Sequence, residues 1–416
     1  MFDTVINNVR LLNMDDVVNV GINDGRFAKI AEEKMTGQTT WNGRGFYLLP
    51  PFVETHTHMD TVLTAGSPRF NLSGTLFEAI EVWQERKQNL TVEDVFDRAC
   101  QALQQLLSYG VLFVRAAVDI SDSELTALQA LVKVKKYFTG KIDLEIIAFP
   151  QDGLMASPDN QKRMRQALEW GADLVSAAPH LEPTREKGIE SLRFCFQLAQ
   201  EWNKAIHIFC DEVDDEHSRF LEVVADLAIS KKYDLVTVSH ANALAYYNDV
   251  YASKVIRLVQ QANITVVACP LVNSMMQGRA DRYPKGRGMT RVKQLHDAGV
   301  NVCMAHDDIR TPFYPLGTGN ILQAAHLGLH LAHMSGQQDL HDVVQMITVN
   351  GATCLDIHDR YGIEEGKPAN GVVLPANDLA ILLSEQPKPM YVFRNGELLS
   401  ETDPVETTFY YEKMTT

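Results

Sequence analysis

The sequence predicts an α/β fold: a (β/α)8 TIM barrel with a small β-sandwich domain formed by both chain termini. Three observations predict it. From about Phe46 short apolar runs alternate with longer helical patterns, and eight such units can be counted. The stretch after the first run, PFVETHTHMD, has none of the glycine-rich phosphate turn that a doubly wound sheet would place there. Short β-like runs with tight-turn signals occupy both ends of the chain.

Residues 1–45 carry TVINNVRLL, VVNVGI and RFAKIAEE, with Asn23-Asp24-Gly25 as a turn between the last two; they form the N-terminal part of the small β domain. Residues 46–365 are the barrel, whose strands are read as FYLLPPFV, VLFVRAAV, IDLEIIAF, DLVSAA, AIHIF, LVTVSH, ITVVAC and NVCMAH. Near-continuous apolar runs are what strands covered on both faces require. Residues 366–416 return to β-like runs, LAILLS and MYVFRNGELL, the latter with a hairpin signal at Asn395-Gly396; they complete the small domain.

A chain of 416 residues, 45% hydrophobic and 22% charged, is large enough for one big core and a smaller domain. Its formal net charge of −15 excludes non-specific attachment to nucleic acid or to an anionic membrane, both of which need a clustered basic surface. A small molecule is the expected partner. The six cysteines are scattered singly, without a CxxC pair, so neither a disulfide framework nor a zinc ribbon is expected. Reduced thiols, an N-terminus without an export signal and the lack of any apolar run of membrane-spanning length give a cytoplasmic expectation.

A barrel puts chemistry at the carboxyl ends of its strands. The first run leads to His56-Thr57-His58-Met59-Asp60, the third to Pro150-Gln151-Asp152, the fourth to Pro179-His180, the fifth to Cys210-Asp211-Glu212, the sixth to Ser239-His240 and the eighth to His306-Asp307-Asp308. His56 and His58, two apart on a strand, face the same way and can share a metal ion. An HxH pair is weak on its own and gains weight from His240 and Asp307 at other strand ends. His/Asp ligation with an open position suits one divalent ion, Zn or Fe, acting on water. Along AIHIFCDE, His207 and Phe209 point the same way, and Asp211 follows if the extended geometry persists. Glu212 is either one more solvated acid of the run that includes Asp214, Asp215 and Glu216, or the carboxyl that shuttles protons at the mouth. Gln151 either reads the amide-like edge of a heterocycle or caps a loop.

At this point the residues resemble the bacterial cytosine deaminases of the amidohydrolase superfamily. The resemblance runs through essentially the whole chain and rests on PPFVETHTHMD, NLSGTLFEAIEVWQERK, IIAFPQDG, CDEVDDEHSRF, PLVNSMMQGRADRYPKGRGMTRVK and AHDDIRTPFYPLGTGN. It implies His56, His58 and Asp307 as metal ligands, Glu212 as proton shuttle and His240 beside the attacking water. It further implies Gln151 at the pyrimidine edge and Asp308 as a substrate-site acid. The implied reaction is hydrolytic deamination of cytosine, or a related aminated heterocycle, by metal-activated water; relatives are often homo-oligomers.

The chain departs from the family pattern in three places. Phe209 stands where a metal-ligand histidine is normal, three residues before the glutamate. Ala116-Ala117 replace a usual Thr-His, and Phe313 a tryptophan common in the cytosine-specific members. His207 belongs to a deeper barrel layer, because residues two apart on a strand are roughly 6.5 Å apart, and is expected to be a buried, hydrogen-bonded histidine. Phe209 is expected to pack or to stack on a planar ligand. Loss of one ligand supports a second reading: a catalytically impaired relative that binds a heterocycle without turning it over.

Overall fold

The computed structural model describes residues 1–14 and 16–410. Among the described residues fifteen strands run in chain order: β1 Phe2–Arg10, β2 Val17–Asn23, β3 Arg26–Ala31, β4 Gly37–Leu49, β5 Phe52–His58, β6 Val111–Asp119, β7 Asp143–Phe149, β8 Leu174–Ala177, β9 Ala205–Cys210, β10 Val236–His240, β11 Thr265–Ala268, β12 Val302–Met304, β13 Gly371–Leu374, β14 Tyr391–Arg394 and β15 Glu397–Glu401. They form two sheets.

The eight strands β5 to β12 pair in parallel, each with its sequence neighbour. The ring closes between its first and last members: Thr57 bridges Asp307, and Thr57 Oγ1 donates to the Asp307 carbonyl at 2.6 Å. Helices cover the outside. In Val92–Ser108, for example, Val95, Ala99, Ala102, Leu103 and Leu106 form one buried stripe at helical spacing, and the Thr91 side chain caps the first turn. This is the TIM-like barrel that the run pattern predicts.

Both termini meet in one seven-stranded mixed sheet of order β15-β14-β13-β4-β1-β2-β3. The joint is β4 against β13, with Leu49, Leu48 and Tyr47 opposite Val372, Val373 and Leu374. Asp24-Gly25 and Asn395-Gly396 turn the two hairpins, all four residues having positive φ, as a two-residue turn with the strands' own twist demands.

Two local readings of the sequence change. FYLLPPFV is not one strand: Phe46–Leu49 end β4 in the terminal sheet, Pro50-Pro51 cannot donate to a ladder, and the barrel strand is Phe52–His58, which carries the histidines itself. LAILLS is a helix, Leu379–Glu385. Asp378 caps it by accepting from the Ile381 N–H, and Leu379, Leu382 and Leu383 bury one face. A short apolar run satisfies a strand or a helix equally; the capping aspartate decides it. Among the described residues no helix is long and apolar enough to cross a membrane.

Candidate active site

The strand ends converge on a pocket of about 490 Å³, part of it open to solvent, lined by His58, Gln151, Phe209, Glu212, Asp308 and Phe313 among others. Two strand-end residues leave the extended region to reach it. His240 and Asp307 have φ of 68° and 70°, a left-handed conformation that costs a non-glycine residue about 1–3 kcal/mol and marks sites whose geometry is imposed by the surroundings. Glu54, fully buried, accepts from the His56 N–H at 3.3 Å and the His306 N–H at 3.0 Å, tying β5 to the segment that follows β12.

At the floor, His56 Nε2 lies 3.7 Å and His58 Nε2 3.9 Å from Asp307 Oδ1. One ligand atom each from His56, His240, Cys269 and Asp307 lie within 4.8 Å of one another. His56 Nε2, His240 Nε2 and Asp307 Oδ1 are buried with no hydrogen-bond partner. Buried polar atoms normally have partners, and three orphans around one point are what a divalent cation would satisfy. The residues present therefore fit a metal ion of the Zn or Fe type. Of the three expected ligands, His56 and Asp307 belong to the four-residue cluster, and His58 sits beside it on the pocket wall.

The fifth strand divides its tasks by depth. His207 is fully buried, and its Nε2 meets Nδ1 of His56 at 2.9 Å. Phe209, one layer up, stacks on Phe149 with centroids 3.9 Å apart and presses on His56 and His58 at 4.6 and 5.4 Å. Ala117 belongs to the same apolar cluster as these two phenylalanines, so the Ala117 and Phe209 departures from the family pattern are in contact with one hydrophobic patch. Extended geometry stops at Asp211, whose φ is 50°. Its carboxylate turns away from the mouth to accept from Ser218 Oγ at 2.5 Å and from the N–H groups of Phe220 and Leu221 at 3.1 and 2.9 Å. The strand alternation thus does not continue to Asp211, and Glu212 is the acid that faces the pocket.

Glu212 Oε1 lies 3.6 Å from His240 Nδ1, its side chain only 15% exposed. Burial, with the Asp308 charge adding to it, pushes its carboxyl up to about 8. Burial likewise raises Asp308 to about 7 and drives Asp307 upward, while it lowers His58 to about 4 and His240 to about 3. Such a centre holds neutral imidazoles, the metal-ligating form, next to a carboxylic acid that keeps its proton near neutrality. The Asn273 carboxamide holds the Nδ1 side of His240, with Nδ2 at 3.1 Å and Oδ1 at 3.4 Å; with the oxygen turned to accept from Nδ1–H, the His240 Nε2 lone pair is free.

Two residues at the mouth were not singled out by the sequence. His180, named only as a strand end, lines the pocket with both ring nitrogens unpartnered. Cys269 follows β11 directly and is the last residue of ITVVAC, where a cysteine among apolar neighbours reads as core. His306, by contrast, points away from the centre, accepting from the N–H groups of Thr318 and Gly319 at 3.2 and 3.1 Å.

A parallel barrel with this His/Asp floor defines a class, and comparison with known proteins agrees: the amidohydrolase family description matches residues 87–397, and the chain belongs to that family. Within it the chain is cytosine-deaminase-like and a hydrolase of the metal-dependent kind. It is similar to the 5-methylcytosine deaminase of Klebsiella pneumoniae, solved with 5-fluorocytosine and with phosphonocytosine; for the former the identity is 40% and the TM-score 0.94, covering 97% of this chain and 99% of that one. The N-isopropylammelide isopropyl amidohydrolase of Pseudomonas sp. (strain ADP) is 28% identical over 414 residues, 97% of this chain and 98% of its own length. The pterin deaminase of Rhizobium rhizogenes is 25% identical over 382 residues, 91% of this chain and 84% of its own.

Proposed function

We propose that the protein hydrolytically deaminates a free cytosine-type ring, cytosine itself or cytosine carrying a small 5-substituent, releasing ammonia and leaving the corresponding uracil. The observation that carries this reading is Glu212: a carboxyl raised to about 8 by burial, on the wall of the pocket, within 3.6 Å of His240. The 40% identity to a 5-methylcytosine deaminase supports the choice of ring.

The chain's own residues divide the work. Gln151 offers a carboxamide donor and acceptor side by side, the complement of a ring N–H next to a carbonyl. Phe209 and Phe313 supply apolar walls for a planar ligand. Glu212, protonated at neutral pH, delivers its proton to ring N3 and takes one back from the water that adds to C4; the water's second proton passes to the amino group, which leaves as ammonia as the C4 carbonyl forms. Asp308 and His240 flank the position where water must stand. A divalent ion held by His56, Asp307 and their neighbours supplies the polarisation that makes water nucleophilic near neutrality.

The test is ammonia release by protein purified and then supplied with Zn²⁺ or Fe²⁺, against cytosine, 5-methylcytosine, a pterin and an N-alkyl triazine. Turnover of the cytosines, and not of the larger rings, is expected. Metal-loaded protein that binds cytosine and releases no ammonia would establish instead the impaired, ligand-binding relative.

A further inference from the structure

We infer that Cys269 is a metal ligand of this chain, its thiolate completing a His56, His240, Asp307, Cys269 shell in place of the histidine that Phe209 removes. The inference rests on the metal-dependent reading above and specifies the donor set for it.

The four donor atoms lie within 4.8 Å of one another, and all four residues are buried, none more than 2% exposed. Three of the donors are orphans: His56 Nε2, His240 Nε2 and Asp307 Oδ1. Leaving a buried polar atom unsatisfied is costly, so a fold that gathers three of them around one sulfur is arranged for something that pairs with all of them. The two imidazoles are held from behind. His207 takes the Nδ1 side of His56 at 2.9 Å and Asn273 the Nδ1 side of His240, which directs both Nε2 atoms to the centre. Ligating histidines are commonly fixed in this way through their other nitrogen.

Phe209 cannot serve, since a phenyl ring has no lone pair, and its stack on Phe149 holds it against His56 and His58. Cys269 reaches the same centre from a different strand, β11, next to Asp307 at the end of β12. Two imidazoles, one carboxylate and one thiolate are donors of ordinary composition for zinc, with metal–sulfur bonds of about 2.3 Å and metal–nitrogen bonds of about 2.0 Å, and an ion held by them would take water by expanding to five-coordinate. As the sulfur–metal bond forms, the S–H bond breaks and its proton passes to solvent. A thiolate in the shell favours zinc over harder ions.

The experiment is X-ray absorption at the zinc edge on zinc-loaded protein, with cobalt-substituted protein examined for the near-ultraviolet sulfur-to-cobalt charge-transfer band. A sulfur scatterer at about 2.3 Å is expected. C269S should lose both signals and bind zinc at least tenfold more weakly in chelator competition, while its circular dichroism and metal-free Tm stay those of the parent. The double variant F209H/C269S should recover affinity without the sulfur signals. Zinc bound through nitrogen and oxygen alone, or C269S with parental affinity, overturns the inference and leaves the deaminase reading standing. Sulfur-ligated zinc in a protein that deaminates nothing supports the inference and overturns that reading; a chain that takes up no metal overturns both.

Discussion

Nδ1 of His56 lies 2.9 Å from Nε2 of His207, so a histidine too deep in the barrel to reach the centre fixes the orientation of one that does reach it. Removing such a partner typically weakens metal binding about 10–100-fold. H207A should therefore lower zinc affinity by that amount in competition with a chromophoric chelator, and H207Q, which keeps an acceptor for the His56 N–H, should lose less. Equal affinities in parent and H207A would mean that packing alone orients His56.

Glu212 gives a second expectation, because its proton is used only in the chemical step. E212Q keeps the size and loses the acid, so kcat should fall by at least about 100-fold, the usual worth of general acid–base catalysis. The dissociation constant for a non-reacting cytosine analogue should change only a few-fold. Calorimetry alongside ammonia release separates the two quantities, and an E212Q enzyme with parental kcat would remove Glu212 from the mechanism.

The barrel was legible because a parallel sheet buried on both faces writes itself as apolar runs, and seven of the eight runs from FYLLPPFV to NVCMAH each contain their strand or all but its last residue, although in NVCMAH only Val302–Met304 is strand. The first straddles Pro50-Pro51, where periodicity gives no boundary and only the missing ladder donors do. In the site, His56, His58, Gln151, Glu212, His240, Asp307 and Asp308 could be picked out since each is polar at the end of an apolar run. Asp211 and His306 satisfied the same criterion, yet they are turned to backbone N–H groups by geometry that no spacing encodes. Cys269 fails in the opposite way. Its chemistry is visible only when three orphaned donors from other strands are seen around it.

Phe209 is predicted to matter to stability as well as to the pocket. Its ring is 2% exposed, stacked on Phe149 and in edge contact with two imidazoles, so F209A leaves a cavity that strands and helices cannot collapse into. Truncations of this kind cost about 3–5 kcal/mol. Chemical denaturation of metal-free protein should give a loss in that range. A loss below about 1 kcal/mol would indicate a ring that only lines the pocket, with little part in the core.

The opposite end of the barrel carries a separate, pH-dependent expectation. Cys354 Sγ sits 3.4 Å from Arg115 Nη1 and 3.4 Å from Thr237 Oγ1, on a cavity also lined by Glu145 and His358. The hydrogen bond from Cys303, helped by the Arg115 guanidinium, pulls its thiol down to about 7. The thiolate is the reacting form, so alkylation of Cys354 should accelerate as pH rises through about 7 and level off above about 8, where an ordinary thiol, near 8.5, would still be gaining. Cys195 and Cys210, fully buried with thiols raised by that burial, should stay unmodified in the folded protein. Replacing the guanidinium in R115M should move the Cys354 midpoint upward. Peptide mapping after timed iodoacetamide pulses across the pH range measures each site; a Cys354 rate that keeps climbing past pH of about 9 would show that neither Cys303 nor Arg115 stabilises its thiolate.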